Sequence, residues 1–122
     1  MTSPEHNLLP FISSSFRSVW ALELLLVLKS DRRLWARPEL VSTLRASELV
    51  VSKALDSLLA AGLASVEGEG VRYMPVTEEV AHCVDRTEEL YAARPDAVRR
   101  AIVSSAMSDV TAFADAFRLR KD

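Results

Sequence analysis

Residues 51–64 read VSKALDSLLAAGLA, and this stretch decides the architecture. Val51, Leu55, Leu58 and Leu59 fall at i, i+4, i+7 and i+8, one stripe of a helical period, while Ser52, Lys53, Asp56 and Ser57 occupy the other face. Gly62 stands where a helix end wants a residue that tolerates positive φ. The pattern predicts an amphipathic helix that stops at Gly62 and passes directly into LASVE, a GEG turn and VRYMPV. Those segments read as two short strands of a hairpin, with Gly68 and Gly70 relieving the turn.

Working upstream, WARPELVSTLRAS predicts a second, shorter helix. Pro38 suits the first helical position and Glu39 the first turn, and Leu40, Val41 and Leu44 supply a buried side. Arg37 stands where a capping Ser or Thr is common. Arg45, Ala46 and Ser47 form a tight connection in which Ser47 is the expected N-cap of the next helix. Two short helices joined by about three residues read as a helix-turn-helix. Before them, a helix is expected from about Ser14 to Ser30, with Phe16, Trp20, Leu24, Val27 and Leu28 near one face. Leu22, Leu25 and Leu26 widen that apolar surface, which suggests burial on two sides. Residues 1–12 read as a flexible lead-in whose Leu8, Leu9, Phe11 and Ile12 would pack only under a cover.

Past the hairpin, Thr77 is placed to cap a helix running to about Ala93, stopped by Arg94 and Pro95. Further helices are expected in PDAVRRAIVSSAM and in SDVTAFADAFRLRKD. The division expected is therefore a lead-in at 1–12, a helix-turn-helix domain with hairpin at 13–76, and a helical extension at 77–122. The fold class is mainly α with a small β-hairpin.

Through PELVSTLRAS, VSKALDSLLAAGLA and the hairpin ending in PVTEE, residues 14 to 80 resemble the bacterial winged helix-turn-helix transcriptional regulators, in the pattern of the MarR-like and ArsR-like groups. The resemblance implies a homodimer that binds double-stranded DNA, the helix from Val51 entering the major groove and the hairpin acting as a wing. Carried onto this chain, it points to Ser52 and Lys53 at the groove, Arg45 and Ser47 at the phosphates, and Arg72 with Tyr73 on the second wing strand. Phe16 and Trp20 from the first helix, with Ile102, Phe113 and Phe117 from the extension, are the expected dimer or partner interface.

Composition bounds the alternatives. The chain has 122 residues, 49% of them hydrophobic, with three glycines and five prolines, as expected for one compact helical domain. Its longest apolar run, VWALELLLVL, contains Glu23 and falls far short of the roughly 20 residues a spanning helix needs. One cysteine and no leader-like segment lead to an expectation of a cytoplasmic protein without disulfides. The net charge of −2 is unevenly spread, at +1 over residues 1–60, −5 over 61–98 and +2 over 99–122. DNA affinity comes largely from neutralised phosphates, so this balance predicts weak, salt-sensitive binding unless a local basic face forms.

Glu48, Asp56, Glu67 and Glu69 lie on or beside the nominal DNA face, where carboxylates repel a phosphate backbone. They favour a rival reading, a winged helix used as a protein-interaction module. No catalytic activity is expected, because no nucleophile beside a base, paired carboxylate site or glycine-rich phosphate loop is present. His82 and Cys83 are adjacent and diverge on a helix, so neither a metal nor any other cofactor is expected.

Overall fold

The computed structural model describes residues 4–104. Its elements are α1 (Pro4–Ser15), α2 (Val19–Ser30), β1 (Trp35–Ala36), α3 (Arg37–Leu44), α4 (Glu48–Ala60), β2 (Ala64–Glu67), β3 (Gly70–Tyr73) and α5 (Glu78–Ala93). A further helix, α6, covers 95–104. The chain is mainly helical with one small antiparallel sheet, in which β3 lies between β1 and β2.

The first helix departs from the expected single span of Ser14 to Ser30. The chain breaks between Ser15 and Val19, and Leu8–Ser15 meets Val19–Ser30 at 100°. Serines on either side of the break bond the backbone locally. Ser14 Oγ donates to the Phe11 carbonyl at 3.2 Å, and Ser18 Oγ accepts from Ala21 N at 3.2 Å, capping α2. No single described helix is long and apolar enough to cross a membrane.

The bend corrects two further expectations. Residues 4–15 form α1 rather than a loose lead-in, and Leu8 and Ile12 enter the core with no partner needed. Phe16, 1% exposed, turns inward with its ring edge-on to Phe11, their centroids 6.2 Å apart. Phe16 is therefore core rather than interface. Ile102 is equally buried, beside Val98 and Val84 in the same cluster as Leu8, Ile12 and Phe16. α1 packs on α5, so the N-terminal helix and the helices after the hairpin share one core with α2. Phe113 and Phe117 lie outside the described residues.

The remaining elements follow from local chemistry. Ser47 and Thr77 cap α4 and α5, accepting from Val50 N at 3.2 Å and Val80 N at 3.1 Å. At the end of α4, Leu63 N bonds the Leu58 carbonyl and Gly62 N the Leu59 carbonyl, with Gly62 at φ 73°. That pair of bonds is a Schellman motif, which turns the chain into β2. Inward-facing Val71 and Tyr73 of β3, with Trp35 of β1, fix the sheet on α2.

Candidate nucleic-acid interface

The pair α3–α4 is held by contacts that begin just before it. Trp35 donates its indole N–H to the Asp31 carbonyl at 2.9 Å, and the Arg33 guanidinium stacks 3.8 Å from its ring centroid. Arg33 also bridges Asp31 and Glu39, at 2.9 and 3.0 Å. Glu39 in turn accepts from Ala36 N at 2.9 Å. Ala36, the N-cap of α3, has no side-chain acceptor, and Glu39 at the third helical position supplies the missing partner for its N–H. Arg37 and Pro38 occupy the first two helical positions, one residue on from the boundary expected for Pro38. The Arg33 hydrogen bond, helped by the Ala36 N–H, holds the Glu39 carboxyl below its usual range.

Between the helices the chain turns on Arg45, which adopts the left-handed conformation at φ 54°. Its N–H reaches the Ser42 carbonyl, and Ala46 N reaches the Val41 carbonyl, each at 3.3 Å. α4 then packs Val51, Ala54, Leu55 and Leu58 inward, with α2 as its main neighbour. Its outer face carries Leu49, Ser52, Lys53 and Asp56, of which Leu49 is 64% exposed and Ser52 half-buried. A cleft of ≈ 320 Å³ runs between α3 and α4, lined by Arg37, Pro38, Val41, Glu48, Val51 and Ser52.

The cations separate into two groups. Lys29 is clamped by Asp85 and Glu88 at 3.2 and 2.7 Å, Arg33 by Asp31 and Glu39, and Arg99 contacts Asp96 at 3.5 Å. Arg72 Nε lies 2.7 Å from Glu67 Oε2, close enough for an ion pair although its N–H is not aligned for a hydrogen bond. By contrast, Arg37, Arg45 and Lys53 meet no carboxylate partner among the described residues, nor do Arg17, Arg32 and Arg100 elsewhere on the chain. Arg37, Arg45 and Lys53 share α3, the turn and α4. A cation already paired in the fold must give up that partner to meet a phosphate; an unpaired one need not.

Of the residues expected at a DNA contact, Arg45, Ser47, Ser52 and Lys53 thus gather on one helix pair. The two hairpin residues do not join them. Arg72 is engaged by Glu67 across the β2–β3 ladder, and Tyr73, 7% exposed, faces inward with Arg32 over its ring at 5.3 Å. Tyr73 is expected with Arg72 on the second wing strand, but strand alternation sends neighbours to opposite faces. Burial raises the Tyr73 hydroxyl above its ordinary pKa. The turn itself is acidic, with Glu67 and Glu69 exposed.

No family model, curated protein or solved structure matches the chain. The site therefore rests on its own geometry. Sequence reasoning passed over Arg37, whose signal was its position at the start of α3, and Leu49, whose place off the apolar stripe already marked it as outward. It also passed over Thr43, which with Leu44 meets Val19, Trp20, Glu23 and Val27 of α2 around a groove of ≈ 470 Å³. Trp20, 43% exposed, is the one expected interface residue among the described residues that remains on the surface.

Proposed function

We propose that this chain is a winged helix-turn-helix protein that binds double-stranded DNA and regulates transcription, in the cytoplasm and as a homodimer. The succession helix, strand, helix, helix, strand, strand from α2 to β3 is the order of that fold, and the sheet order supports it. The observation that carries the reading is the gathering of unpaired Arg37, Arg45 and Lys53 on α3–α4. In this reading α4 enters the major groove. Ser52 and Lys53 meet base edges or the adjoining backbone, Arg37 and Arg45 meet phosphates on either side, and Leu49 offers an apolar contact for a thymine methyl group. Arg72, held by Glu67, contributes little, so the contact is made by helices more than by the wing. A dimer would present two α4 helices about one DNA turn apart, suited to an inverted repeat.

Fluorescence anisotropy with fragmented genomic DNA, at low and near-physiological salt, tests this. The expected result is binding that weakens steeply with salt and leaves a tight, sequence-selected fraction. Absence of binding even at low salt overturns it.

One observation favours the rival reading of a protein-interaction module. Leu49, 64% exposed, stands in the first turn of α4 with Glu48 beside it and Asp56 two turns along the same face. An apolar anchor rimmed by charge fits a protein partner. A complex recovered after nuclease treatment, and lost on Leu49→Ala, is the result that reading requires.

A further inference from the structure

The outer arc of α4 mixes its open cation with acids. At about 100° per residue, Glu48, Ser52, Asp56, Leu49 and Lys53 follow one another around the helix within about 140°. Glu48 and Asp56 are exposed, and neither pairs with a cation among the described residues. Arg37 lines the same α3–α4 cleft as Glu48 yet lies beyond ion-pair distance of it. Lys53 and Asp56 stand three residues apart, a spacing at which helical ion pairs close, and they do not pair. Unpaired acids occur elsewhere on the surface, at Glu69 and Glu78 for example. Glu48 differs in its place, the first turn of the helix that carries the DNA reading.

A carboxylate on a DNA-facing helix repels phosphates and lowers affinity for every sequence alike. It recovers that loss only against a base that presents a donor, because an ionised carboxylate can only accept. In the major groove guanine presents only acceptors, and adenine sets its N7 acceptor beside its amino group, whereas cytosine offers its N4 amino group as a donor. Position along the helix then separates the two acids. The N-terminal residues of a helix docked in the major groove are those that reach base edges. Glu48 stands there beside exposed Leu49, while Asp56 lies eight residues on, about 12 Å along the axis.

Resting on the DNA reading above, we propose that Glu48 makes the binding selective by accepting a hydrogen bond from a cytosine amino group in each half-site. The same carboxylate repels α4 from duplex that lacks a cytosine there. Selectivity of this kind comes from a penalty on wrong sequences as much as from a gain on the right one.

Selection from a random duplex library, followed by anisotropy on the selected site and its single-base variants, tests this in the full-length chain. The proteins compared are the wild type, Glu48→Ala, Glu48→Gln and Asp56→Asn, each checked for retained helical circular dichroism. The wild type is expected to select a site with a cytosine whose replacement weakens binding about tenfold. Glu48→Ala is expected to make that position indifferent and to bind unrelated duplex severalfold more tightly, since the repelling charge is gone. Glu48→Gln is expected to admit adenine at the same position, and Asp56→Asn to keep the wild-type preference. The proposal is overturned, with DNA binding left standing, by a wild type that selects no cytosine or by Glu48 variants that keep the wild-type discrimination at every position. Loss of the cytosine preference in Asp56→Asn instead overturns it equally. A wild type that binds no duplex at all removes the DNA reading, and this inference with it, and leaves Glu48 to a protein partner.

Discussion

Arg45 sits in a backbone conformation that L-residues avoid, at the turn where α3 hands over to α4. Holding a side chain at φ 54° costs on the order of 1 kcal/mol. Arg45→Gly relieves that strain but returns part of it through a more flexible unfolded chain, so a net gain of about 0.5 kcal/mol is expected from urea unfolding. DNA affinity is expected to fall at the same time, because a phosphate contact is lost. Opposite movement of stability and binding distinguishes a site residue from a structural one. Gly62 gives the reverse case. At φ 73°, with a built Cβ only 3.2 Å from Val76 Cγ1, Gly62→Ala is expected to lower stability by about 1–2 kcal/mol by thermal or urea melts. The caps at Ser47 and Thr77 were legible in the sequence, each a single side chain acting on its own helix, whereas the cap at Ser18 was hidden inside a continuous apolar pattern. The start of α3 was not legible either, because its partner is Glu39, three residues inside the helix and fixed by an arginine six residues before it.

At the scale of elements, α4 and the hairpin were readable because their apolar spacing and terminal glycines point to the same answer. The break between α1 and α2 was not. The apolar stripe runs through it, and only Ser14 and Ser18 signal that the backbone bonds turn local. Nor could spacing alone show that Arg72 would face Glu67 across the hairpin, since that depends on strand register. Register therefore decides which cations of the hairpin are already paired. The clamp of Arg33, Glu39 and Trp35 sets the direction in which α3 leaves β1. Glu39 is held below its ordinary pKa, so its contribution to stability is present above the usual carboxylate range and lost as pH falls through its folded value. Glu39→Gln is accordingly expected to lower the melting temperature near neutral pH and to flatten the acid limb of the stability profile.

Across the whole molecule, one core joins α1, α2, α4, α5, α6 and the sheet, and Lys29 ties α2 to α5 at its edge. Its ammonium is raised above the ordinary lysine value, chiefly by the hydrogen bond to Glu88, and burial raises Tyr73 and Tyr91. All three groups hold their protons more tightly when folded. Their contributions are complete below the unfolded values and are lost as pH rises through the folded ones, so stability is expected to decline from about pH 10 upward. Lys29→Met is expected to make that alkaline decline shallower in chemical denaturation at a series of pH values. The global charge of −2 read from the sequence concealed the local arrangement that matters most, three unpaired cations on one helix pair beside an acidic hairpin turn.

That arrangement is tested most directly by the salt dependence of DNA binding for the wild type, Arg37→Ala/Arg45→Ala/Lys53→Ala, and Arg72→Ala. Each neutralised phosphate contributes about −0.9 to the slope of log affinity against log salt. The triple variant is expected to lose about three contacts per protomer and flatten the slope accordingly, while Arg72→Ala follows the wild type. A triple variant with the wild-type slope, or an Arg72→Ala variant that flattens it as strongly, would contradict binding through α3 and α4.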